Sequence, residues 1–100
     1  MKSYTKTTTL KSVEKLLNFA SEHNCEIFTA EGALNDFHII KNTCNIKVGN
    51  IRPRKYIVCY YTYRNCYSND LYMLFTDDIV KVNTMAAYYG LDESVYDYNI

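Results

Sequence analysis

One hundred residues, 48% apolar and 22% charged, with eleven basic and eleven acidic side chains in balance, describe a globular chain of single-domain size. They exclude a disordered segment and leave no room for a separate catalytic domain. No run approaches the roughly 20 apolar residues that cross a bilayer, and the opening MKSYTKTTT lacks the apolar stretch of a secretory signal, so a cytoplasmic protein without membrane contact is expected.

From Thr9 the apolar residues fall at Leu10, Val13, Leu16, Leu17 and Ala20 with charged residues between them, which predicts a helix over 9–23 with one buried stripe. Thr8 or Thr9 suits its start, and His23 with Asn24 its end. Residues 25–28 read as a short strand and 31–36 as a turn. Segments 37–41 and 45–48 look extended, the latter with Asn45 and Lys47 on a wet face.

The clearest strand is KYIVCYYTY, 55–63, where β-branched and aromatic residues occupy both alternating sets. Such a strand is covered on both faces or displays one aromatic face. Residues 65–70 read as a loop and 71–75 as the returning strand of a hairpin. Thr76, Asp77 and Asp78 then open a helix over 77–89, which Gly90 ends by taking the left-handed position, with Leu91 folding back. The tail DESVYDYNI either adds a turn of helix or lies along the surface. Together these elements predict one α+β domain over 1–100, a small antiparallel sheet of three to five strands. Two helices, in the order helix, strands, helix, pack on one of its faces and leave the other partly open.

Charge is partitioned along the chain. Between Phe37 and Asn69 there is no acid, while Lys41, Lys47, Arg52, Arg54, Lys55 and Arg64 supply the cations; from Asp70 onward six acids face Lys81 alone. All three arginines flank the aromatic strand, in RPRKYIVCYYTYR. Tyr61, Tyr63 and Arg64, with Arg52, Arg54 and Lys55, are therefore the candidate partner-binding residues. Cations with stacking rings suit single-stranded RNA or DNA; Tyr and Arg equally suit a protein interface; and the same residues serve as half-buried sheet positions beside a solvated hairpin.

Other chemistry has little to stand on. Cys25, Cys44, Cys59 and Cys66 are expected as free, buried thiols, with Cys66 alone in a polar, exposed setting. Neither the His23/Cys25 nor the His38/Cys44 spacing matches a zinc site, and three glycines build no phosphate loop, so no metal and no cofactor are expected. Residues 83–98 resemble a helix-turn-helix in the placing of Ala86 and Gly90. The would-be reading helix carries Asp92, Glu93 and Asp97 and no base, which phosphate repels.

Eleven Tyr, ten Asn, eight Ile and eight Lys are residues of AT-rich codons and point to a low-GC bacterial, phage or viral genome. The expected function is a small non-enzymatic protein-binding module, an inhibitor from a phage, virus or mobile element that occupies a surface of a host or defence protein. The alternative is a small RNA- or ssDNA-binding protein using the basic, Tyr-rich hairpin 52–64.

Overall fold

The computed structural model describes residues 3–91. In chain order these form β1 (Tyr4–Thr8), α1 (Leu10–Glu22), β2 (Glu26–Ala30), β3 (Phe37–Lys41), β4 (Tyr56–Asn65), β5 (Ser68–Thr76) and α2 (Ile79–Tyr88). The strands make one five-stranded sheet in the order β1-β5-β4-β3-β2, and every neighbouring pair is antiparallel. The α+β class expected from the sequence is what the chain adopts.

The helices lie on opposite faces of the sheet, which corrects the expectation that they share one. Val13, Leu16 and Ala20 of α1 pack with Ile40, Ile57, Cys59, Met73 and Phe75. Val82 and Ala86 of α2 pack with Ile39, Val58 and Leu74. Ile39 and Ile40, Ile57 and Val58, and Leu74 and Phe75 are consecutive, so their side chains leave the sheet on opposite sides. All six are essentially inaccessible to solvent. Continuous apolar runs in three adjacent strands mark a sheet whose centre is buried on both faces.

The first element is also a strand and not a helix. β1, YTKTT, has no apolar alternation to betray it, because as an edge strand it exposes nearly all its side chains. It is held through its backbone, with Tyr4 opposite Phe75 and Thr8 opposite Leu71, and Ser3 Oγ lies 2.7 Å from Thr76 Oγ1.

The extended segment expected at 45–48 is instead a folded loop. Asn45 and Gly49 take left-handed φ values of 55° and 57°, and the loop carries a single bridge, Val48 to Ile51. Buried Asn42 organises it. Its Nδ2 donates to the carbonyls of Ile46 and Arg54, both at 3.0 Å, and its Oδ1 accepts from the Ile46 N–H at 2.6 Å. A side chain thus does the pairing that a strand neighbour would have done, and Ile46 is drawn into the α1 core.

Helix ends follow local chemistry. Thr9 caps α1 by accepting from the Ser12 N–H, and Asn24 beyond it is left-handed at φ 61°. α2 starts two residues later than expected because Asp78 is its cap, accepting from the N–H groups of Val80 and Lys81. Thr76 and Asp77 are used elsewhere: Thr76 Oγ1 accepts from the Asp78 N–H at 3.0 Å and Asp77 Oδ1 from the Lys55 N–H at 2.7 Å. Gly90, at φ 85°, lets the Leu91 N–H return to the Ala86 carbonyl at 2.9 Å. The expectations for the tail, and for the second half of the helix-turn-helix resemblance, lie outside the described residues.

Candidate protein interface

β4 and β5 outrun their neighbours. β3 flanks β4 only as far as Cys59, and β1 flanks β5 only as far as Leu71, whereas β4 and β5 go on pairing through Thr62/Asp70, Tyr63/Asn69 and Asn65/Ser68. Residues 62–70 therefore project as a two-stranded arm; the hairpin was expected, but with a loop over 65–70 where the structure continues the strand pairing almost to the turn. The register shifts between Tyr63 and Asn65. The turn closes on a side chain, since Asn65 Oδ1 accepts from the N–H groups of Tyr67 at 2.9 Å and Ser68 at 3.1 Å.

The arm carries exposed aromatic surface at its end. Tyr63 is 57% and Tyr67 88% exposed, and Arg64, between them in sequence, has its Nη1 3.8 Å from Asp70 Oδ1. An exposed ion pair of this kind adds little stability, but it offsets the charge of the guanidinium. Tyr67 was not among the sequence candidates, having been placed in a loop with no strand period to single it out.

Tyr61 belongs to the core. It is 7% exposed; its ring packs edge-on against Tyr63 at 5.5 Å and against Tyr89 at 5.1 Å, and Tyr89 in turn stacks on Phe37 at 4.5 Å. The Tyr89 hydroxyl donates to the Tyr61 carbonyl. Burial, with neighbouring phenols, pushes the Tyr89 pKa up to about 12, so it remains a donor through the physiological range. The turn at 31–36 closes over Tyr61, so closely that a Cβ on Gly32 would run into the Tyr61 phenol and the Asn35 carbonyl. From the same turn Asn35 Nδ2 donates to Asn69 Oδ1 at 2.5 Å. The base of the arm is thus braced while its tip is free.

Arg52, Arg54 and Lys55 stand at the other end of β4, Arg52 and Lys55 exposed and Arg54 half-buried. Lys55 precedes β4 and Arg64 lies near its far end, about 30 Å away at roughly 3.3 Å per residue. The six candidates do not form one surface; their closeness in sequence hid the length of a strand.

One cavity, of about 320 Å³, brings together Cys59, His38 and Asp36, a set resembling a nucleophile, base and orienting acid. The chemistry opposes that use. Burial pushes the Cys59 thiol up to about 12, which holds it protonated, and the thiolate is the nucleophile. His38, its pKa lowered by burial against the raising effect of Asp36, has its Nδ1 2.9 Å from Thr29 Oγ1. Among the described residues no three His, Cys, Asp or Glu side chains gather into a group able to hold a metal ion.

All four cysteines are free, but only Cys25 and Cys59 are buried. Cys44, expected inside, is exposed together with Cys66, because the loop that Asn42 folds carries it outward; its Sγ donates to the His23 carbonyl at 2.9 Å. Alkylation of the native protein is expected to modify Cys44 and Cys66 rapidly and Cys25 and Cys59 only on denaturation. Mass spectrometry of the digested protein reads this directly, and rapid labelling of Cys59 would contradict the sheet packing.

The geometry defines a small, two-sided α+β domain with one braced, aromatic-tipped hairpin arm. The chain matches no family model, no curated protein and no solved structure.

Proposed function

We propose that the chain is a non-enzymatic protein-binding module that engages its partner through the tip of the 62–70 arm, with Tyr63, Arg64 and Tyr67 as the contacts. The observation that carries this reading is the exposure of Tyr63 and Tyr67 on an arm anchored by Tyr61, Asn35 and the 31–36 turn. Tyrosine offers a large amphipathic contact with little side-chain entropy to lose, and anchoring at the base lowers the ordering cost of binding. Such a module acts by covering a surface, as an inhibitor of a host or defence protein does. The nucleic-acid alternative is less well supported, because the guanidinium at the tip is offset by Asp70 and the 52–55 cations lie far along the strand from the exposed rings.

The test is capture of partners from a host lysate by the immobilised protein and by a Tyr63→Ala/Tyr67→Ala variant of unchanged unfolding midpoint. The variant is expected to lose the captured protein, each tyrosine contributing about 1–3 kcal/mol in a direct titration. Tyr61→Ala is expected to lower the unfolding midpoint instead. Equal capture by the double variant places the contact elsewhere. Capture of polynucleotide that collapses as salt rises favours the alternative.

A further inference from the structure

We infer that the groove between β1, α1 and the 46–48 loop is a binding site for a fatty carboxylate, an apolar chain ending in an anion. The groove is open to solvent and has a volume of about 550 Å³, within the roughly 300–1,000 Å³ usual for small-molecule sites. Its apolar lining comes from Leu16, Phe19, Ile46, Val48 and Met73. Leu16, Ile46 and Met73 are core residues, but Phe19 is left 43% exposed. An exposed phenylalanine beside a half-buried valine is apolar surface that an aliphatic chain would cover.

The polar part of the lining has one sign. Lys6 from β1, Lys15 from α1 and Lys47 from the loop all border the groove, and no acid does. None of the three forms an ion pair among the described residues. Thr9 and Ser12, the cap and first turn of α1, line the same groove, so the positive end of the helix dipole adds to the lysines. Three elements distant in sequence thus deliver cations to one apolar cleft, which complements an anionic amphiphile and repels a cationic one. A second copy of the chain fits poorly, since pairing two β1 strands about their centres would set Lys6 against Lys6.

Sodium dodecanoate below its micelle concentration is the probe, followed by NMR of isotope-labelled protein. Expected are saturable shifts at the Met73, Ile46 and Val48 methyls and at the Phe19 ring, and none of comparable affinity with dodecyltrimethylammonium. Lys15→Glu with Lys47→Glu is expected to weaken binding at least about tenfold without moving the unfolding midpoint, while Tyr63→Ala leaves it unchanged; the result is thus independent of the arm's role. The inference is overturned by an absence of saturable shifts, by equal binding of the cationic amphiphile, or by unaltered affinity in the lysine variant. It is also overturned if the same resonances shift with protein concentration alone, or with an acidic peptide in place of dodecanoate.

Discussion

Phe37→Ala is expected to lower the unfolding free energy by about 3–5 kcal/mol, the usual range for deleting a fully buried aromatic ring. Phe37 is 0% exposed, lies opposite Ala30 at the start of β3, and stacks on Tyr89 at 4.5 Å with the rings 8° from parallel. Ala30 is too small to fill the gap. Tyr89 would lose its stacking partner, and with it the packing that aims its hydroxyl at the Tyr61 carbonyl. Against a total stability of about 5–15 kcal/mol for a domain of this size, that is a third or more of the whole at the middle of both ranges. Urea titration should show a lower midpoint, with Phe37→Leu falling between alanine and the native residue. A loss below about 1 kcal/mol would show that the α2 side is loosely packed.

Asn42→Ala is expected to cost about 2–4 kcal/mol through a different route. Asn42 is 4% exposed, and its amide satisfies two carbonyls and one N–H around the 42–54 loop. Alanine removes little apolar contact but leaves those backbone groups without their partner in a buried place, where each unmet group costs about 1–3 kcal/mol. The Ile46 amide should lose its protection from hydrogen exchange in the variant, and a native rate at Ile46 would show that the loop stands without this side chain.

The two variants bracket what the sequence made readable. Regular burial leaves a period, and α1, β3 and β4 were legible because their apolar residues recur with one. The caps at Thr9 and Gly90 were legible because few residue types fit those backbone positions. β1 carried no period, since an edge strand held by its backbone imposes none on its side chains. The 42–54 loop failed for the opposite reason: Ile46 and Val48 alternate like a strand, but the partner for that backbone is Asn42, whose role no local pattern announces. Of the two options the sequence left for the 55–63 strand, cover on both faces or one displayed aromatic face, placing both helices on one face followed the second, whereas Ile57, Val58 and Cys59 in succession take the first. Of the residues singled out from the sequence, Tyr63 at the end of the aromatic strand and Arg64 flanking it are the two that lie on the arm and are exposed. Of the readings open for Tyr61, burial in the sheet is the one the structure takes, because the turn that covers it comes from 31–36, far away in sequence.

The pairing of Tyr4 with Phe75 bears on how the chain is made. β1 is synthesised before the other four strands, yet among the described residues its only strand partner is β5. At roughly 5–20 residues per second, the ribosome takes several seconds to deliver it. Through that interval the apolar stripe of α1 has no finished sheet to rest on and β1 has no neighbour, while the hairpin of β4 and β5, close in sequence, pairs as soon as it emerges. Contacts of such long range close slowly, so the nascent chain offers a sticky helix and an open strand edge to whatever surrounds it. A bulky fusion on the β1 side should therefore lower soluble yield more than one placed after α2.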